Sequence, residues 1–152
     1  MESLKSERLD EIVRDMYAAV SFPEGSEPDF ARMAVIFHPR ARFTRVTPEG
    51  VDYFSLAEFQ AFLTEMLDRG VFTAFFEREL HRRVILFGAV AHVLSAYEIK
   101  GRPASPTALA RGINSIQMLW QNGGWQVLSL AWDEEAANQR FDFEQLFAPG
   151  AS

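Results

Sequence analysis

The chain has 152 residues, 48% of them apolar and 24% charged, a formal net charge of −6 and no cysteine. This composition fits a single globular domain with a sizeable core and excludes disulfides, thiolate metal sites and a cysteine nucleophile. The acidic balance argues against nucleic acid as a partner, and no apolar run approaches membrane-spanning length. With a polar segment at residues 1–10 and no signal-peptide pattern, a cytoplasmic protein without membrane contact is expected.

Leu9, Ile12, Val13, Met16, Tyr17 and Val20 recur at helical spacing, so they form one face of an amphipathic first helix, with Ser6 as its expected N-cap. The stretch Phe22-Pro23-Glu24-Gly25 stops it. Phe30, Met33, Ala34 and Phe37 predict a short second helix, ended by His38-Pro39 because the residue before proline is pushed away from helical ψ. Residues 41–46 read as a strand, Pro48-Glu49-Gly50 as a turn, and residues 51–54 as a returning strand. Ser55 and Glu58 form a capping box that opens a third helix bearing Phe59, Phe62, Leu63, Met66 and Leu67, with Gly70 as its C-terminal glycine.

Residues 71–87 read as a long strand, although Glu79 and Arg83 are also spaced for a helical ion pair. Gly88 marks a bulge or tight link, and residues 89–99 form the next strand. Residues 111–121 and 125–133 are two strands joined at Asn122-Gly123-Gly124, a strong hairpin signal. Residues 134–152 are a charged tail in which Phe141, Phe143, Leu146 and Phe147 predict a docked turn or short helix. Helices first, strands later, argue for α+β.

A regular hairpin pairs Leu119 with Gln126, Gln117 with Leu128, Ser115 with Leu130 and Ile113 with Trp132. Arg111, Ser115, Gln117 and Trp132 then share a face, predicted to be the inner one, where the three polar groups form a floor that orients a ligand or a network that closes the fold. Both faces of the hairpin are rich in apolar side chains, and a second subunit on the outer face, giving a homodimer, is the economical cover.

Other candidates are weaker. Glu79, His81 and Arg83 share a face if residues 71–87 are a strand, and Glu79 with His81 could then do acid–base work; a solvated rim is the plainer alternative. Tyr17 and Phe62 could line an interior that the 14 phenylalanines make greasy, but both are also ordinary core residues. His38, His81 and His92 show no metal-ligand spacing, so neither a metal nor a cofactor is expected.

The element order, together with residues 87–98 (FGAVAHVLSAYE), 111–117 (RGINSIQ), 124–132 (GWQVLSLAW) and 37–43 (FHPRARF), resembles the nuclear transport factor 2-like superfamily. Within it, the likeness is to a bacterial SnoaL-like, ketosteroid-isomerase-like subgroup. The resemblance implies a cystatin-like cone fold over residues 1–152, with a strongly curved mixed or antiparallel sheet wrapped around the N-terminal helices and one inserted helix. It implies a dimeric protein whose pocket binds a small, largely apolar molecule, with cofactor-free isomerisation, dehydration or cyclisation as its chemistry if it is an enzyme. A non-enzymatic dimeric interaction module with a filled core is the alternative, since this fold hosts both. Steroid isomerases of the fold place a carboxylate base on the first strand, where this sequence has Arg45, and a second carboxyl near Ile116 or Gln117. Tyr17 and Trp132 match their helix tyrosine and pocket tryptophan. Arginine does not serve as a base at neutral pH, so that route is not expected here.

Overall fold

The computed structural model describes residues 2–150. Helix α1 (Glu2–Val20) is followed by α2 (Phe30–Ile36), strands β1 (Phe37–Thr47) and β2 (Gly50–Ser55), and helix α3 (Leu56–Asp68). Strands β3 (Phe76–Phe87), β4 (Val90–Lys100), β5 (Ala110–Gln121) and β6 (Gly124–Glu134) come next, then the single turn α4 (Phe143–Leu146). The fold is α+β, with one six-stranded mixed sheet in the order β2-β1-β6-β5-β4-β3; β1 and β6 are parallel and all other neighbours antiparallel. Among the described residues no helix is long and apolar enough to cross a membrane.

The local signals explain most of these boundaries. The Ser55 hydroxyl accepts from the Glu58 amide while the Glu58 carboxylate accepts from the Ser55 amide, the reciprocal pair that starts α3. Gly70 closes the helix at φ 69°. Asn122 and Gly123 both take positive φ, 56° and 80°, as the tight turn between β5 and β6 requires.

Three boundaries differ from the sequence expectation. Helix α1 begins before Ser6, which lies inside it rather than capping it. Helix α2 ends at Ile36, and His38-Pro39 belong to β1, where proline's fixed φ is tolerated at the strand start. Strand β3 starts only at Phe76; upstream of it, Phe75 makes an isolated bridge with Phe22.

Helices α1 and α2 bury Leu9, Ile12, Val13, Met16, Met33 and Ile36 against the concave face of the sheet, where they meet Phe37, Phe43, Val93, Ile116, Met118 and Val127. Helix α3 lies over β1 and β2 and stacks Phe59 on Phe43, ring centroids 4.4 Å apart.

Two irregularities decide which side chains face this core. In β3, Glu79 pairs with Tyr97 and His81 with Ala96, so Leu80 is an extra residue. In β6, Val127 pairs with Met118 and Ser129 with Gln117, so Leu128 is extra. Each bulge reverses the alternation of its strand beyond that point.

Candidate functional site

The bulge at Leu128 corrects the face assignment of the last hairpin. Trp132 pairs with Asn114, not with Ile113, and Leu130 pairs with Ile116. Trp132 therefore points inward with Asn114, while Arg111, Ser115 and Gln117 point out from the convex face. There, Ser115 Oγ hydrogen-bonds His92 Nε2 at 3.1 Å and Gln117 is exposed. Arg111 places its guanidinium 4.4 Å from the centre of the Phe143 ring and 3.7 Å from Glu135, and its buried Nε finds no hydrogen-bond acceptor.

The bulge at Leu80 likewise separates Glu79 from His81. Glu79 lies on the inner side. His81 lies outside, stacked 5.4 Å from Phe147 and edge-on to Phe143, and Arg83 donates to the Leu146 carbonyl there. The expected Glu79–His81–Arg83 face does not form, and the C-terminal turn α4 covers His81 and Arg83 on the outer side.

Between α3, the α1–α2 connection and the concave sheet lies a cavity of about 340 Å³. Its walls are apolar: Phe59, Phe62, Leu63 and Met66 come from α3, and Phe22, Phe72 and Phe75 from the segments on either side. Phe62 and Trp132 line it, as the sequence reading expected, and Trp132 sits edge-on to Phe59 at 5.7 Å. Tyr17 lies just behind the lining and is bonded to it.

The floor is polar and comes from residues that the sequence reading did not select. Glu77 of β3, Tyr97 of β4, Asn114 of β5 and Glu134 of β6 all face the cavity. Tyr97, Gly112 and Glu134 stand in one row across three strands, and the Tyr97 hydroxyl donates to Glu134 Oε2 at 2.7 Å. The phenol must cross the β5 backbone to get there. A Cβ at Gly112 would lie 2.5 Å from the Tyr97 hydroxyl oxygen and 2.6 Å from the Asp133 carbonyl, so only glycine leaves the path open.

The second row runs Ser95, Asn114, Trp132, Arg45. A hydrogen-bond chain starts from it and has a fixed direction. Arg82 grips the Glu79 carboxylate through Nε and Nη2, so Glu79 accepts from Ser95 Oγ at 2.5 Å. Ser95 then accepts from the Tyr17 hydroxyl at 2.6 Å, and Tyr17 accepts from Asn114 Nδ2 at 3.1 Å. This orients the Asn114 amide so that the same nitrogen donates to Glu77 Oε2 at 3.5 Å. Glu79 thus acts from behind the floor, through three other side chains.

Electrostatics separate the floor groups. Burial, with a smaller contribution from the neighbouring Glu134, pushes Glu77 up to about 8 despite the Asn114 hydrogen bond, so its carboxyl holds a proton at neutral pH. Burial and then the charges of Glu77 and Glu134 raise Tyr97 far above a free phenol, and burial and Glu77 do the same to Tyr17. Both phenols remain donors. Among the described residues no group of three or more His, Asp or Glu side chains is arranged to hold a metal ion.

Two signals for this floor were present in the sequence. A glycine inside a strand, Gly112, marks a close approach, and Glu77 shares the parity of Glu79. The bulges that bring Glu134 and Trp132 into line with Asn114 carry no comparable mark.

No protein-family model matches the sequence, and no curated protein matches it. Solved structures do match the fold. An NTF2-like protein of unknown function from Silicibacter pomeroyi is 18% identical, with a TM-score of 0.66 over 89% of this chain and 99% of that one. A protein of unknown function with a cystatin-like fold from Nostoc punctiforme is 12% identical, with a TM-score of 0.69 over 88% and 93%. A protein from Streptomyces avermitilis, described as a candidate dehydratase of the NTF2-like family, is 14% identical, with a TM-score of 0.67 over 90% and 100%. The chain has the NTF2-like, cystatin-like cone fold.

Proposed function

We propose that the protein binds a small, largely apolar molecule in the cavity between α3 and the concave sheet, and moves a proton on it without a cofactor. The observation that carries this reading is the pair of carboxyls on the polar floor of an otherwise apolar cavity. Glu134, held by the Tyr97 hydroxyl, is the base, and Glu77, protonated at neutral pH, is the acid or hydrogen-bond donor to the oxygen that gains charge. Asn114 and Tyr17 position Glu77, and Trp132 supplies a flat apolar wall. Isomerisation, dehydration and cyclisation all need such an acid–base pair, and one structural neighbour is named as a candidate dehydratase. The rival reading, an interaction module with a filled interior, is less well supported because about 340 Å³ of the interior is open.

A bicyclic ketone tests the chemistry. 2-Tetralone in deuterated buffer should exchange its α-protons faster with the protein than without it. Glu134→Gln should lower that rate by about a hundredfold or more, the usual contribution of a positioned base. Exchange no faster than in buffer, or unchanged in Glu134→Gln, would overturn the reading.

We also propose a cytoplasmic homodimer joined through the convex sheet face. Ile85, Phe87 and Leu128 are exposed there, and that face has no helix over it apart from the α4 turn at one end. Phe87→Glu should shift sedimentation toward the monomer; a wild-type chain that sediments as a monomer refutes the pairing.

A further inference from the structure

Among the described residues, Arg45 is the one cavity-lining side chain with a positive charge, and the acid–base floor does not use it. It lies on β1 directly opposite Asp52 of β2 and in register with Trp132 of β6. Its guanidinium lies over the Phe62 ring, 5.2 Å from the ring centre, a cation–π contact on the cavity wall. Asp52 takes one N–H, on Nη1, at 3.0 Å. The other N–H groups of the fork have no protein acceptor among the described residues, and the side chain is one-third exposed.

A guanidinium has five donors in a fixed plane and can hold a second acceptor beside the first. A cross-strand ion pair serving only the β1–β2 hairpin needs neither the inward orientation nor the aromatic shelf. The row Asn114–Trp132–Arg45 also sets a length: two strand spacings place the Arg45 backbone about 10 Å from that of Asn114, with the Trp132 indole between them.

We propose that Arg45 is a specificity residue that selects an apolar organic anion, a carboxylic acid in the first instance. Its charged end docks on the free edge of the guanidinium, its body lies over Trp132, and its reacting end reaches the Glu77–Glu134 floor. This rests on the binding reading above, and two fluorescent probes separate the two. N-phenyl-1-naphthylamine is a neutral apolar probe; 1-anilinonaphthalene-8-sulfonate is the same skeleton with an anionic group.

Both should bind the wild-type protein, the sulfonate about tenfold more tightly at low salt. Arg45→Gln should abolish that preference while leaving the neutral probe's affinity unchanged, which also reports an intact cavity. Arg40→Gln, the same charge change at an exposed position on β1, should retain the preference. Asp52→Asn should enlarge it by freeing the fork, a gain that a purely structural ion pair would not give. Binding of both probes with a ratio indifferent to Arg45→Gln and Asp52→Asn overturns the selection of anions alone. No binding of the neutral probe overturns the cavity reading, and this inference with it.

Discussion

Asn114 and Ser115 are neighbours in one strand, yet they belong to different environments. Asn114, 4% exposed, gives its amide nitrogen to Tyr17 and Glu77 and stands in a chain whose every member has a fixed partner. Ser115 looks out from the convex face and meets only His92, two residues along the face from a buried guanidinium nitrogen without an acceptor at Arg111. The concave face ties its polar groups into a continuous network that runs from Glu79 to Glu77. The convex face is tied more loosely: Gln117 is exposed, and the buried Arg111 Nε has no acceptor. Counting polar residues on a strand therefore says little about where chemistry lies; how fully each is tied, and to what, says more.

The largest effect expected from this contrast is at Glu77. A carboxyl that binds its proton more tightly when folded lends stability that is complete below the ordinary glutamate value of 4.5 and is lost as pH rises to about 8. By the usual conversion the loss is on the order of 5 kcal/mol. Denaturant melts across that range should show the decline in wild type and its near absence in Glu77→Gln, which should be the more stable protein at alkaline pH. A flat wild-type profile would place Glu77 in ordinary solvent.

Next in size is Gly112→Ala. Its new methyl would strike the Tyr97 phenol and the Asp133 carbonyl, and strain of this kind costs about 1–3 kcal/mol. Tyr97→Phe should relieve part of it, so a double-mutant cycle should report coupling; strict additivity would mean that the phenol does not cross the strand. The smallest effect belongs to the convex face. Arg111→Met removes an unsatisfied donor and keeps an apolar stem against Phe143, while Glu135 loses one cation but retains Arg140 and the Phe141 N–H, so the change should stay within about 1 kcal/mol of wild type. A large loss there would erase the distinction between the two faces.

The architecture was largely legible. Helical spacing in α1, the Ser55–Glu58 box and the Asn122-Gly123 turn each act locally, and each produced its element. The site was less so, because its facing depends on parity, and parity is reset by single extra residues. Leu80 stands among charged residues and Leu128 among mostly apolar ones, and neither has a glycine or proline beside it to announce that the pleat skips a beat. Trp132 was placed on the correct side only because the indole and the polar trio were assumed to travel together; the bulge sent the trio outward and brought Glu134 in. Arg45 was read only as an obstacle to one known chemistry, because nothing in the sequence places it beside Phe62 and Trp132 on the cavity wall.

The parallel pairing of β1 with β6 has a consequence for how the molecule is made. Arg45 and Trp132 sit side by side but are separated by most of the chain, and Glu134 closes the same strand. A nascent chain that has already emitted its first three helices and first five strands still lacks the Trp132 indole, one of the two floor carboxyls and the second partner of its first strand. Closing so long a loop is slow and exposes β1 as an unpaired edge meanwhile. The cavity is therefore completed only late in synthesis, and a chain truncated before β6 would leave the ribosome with a sticky strand in place of a site.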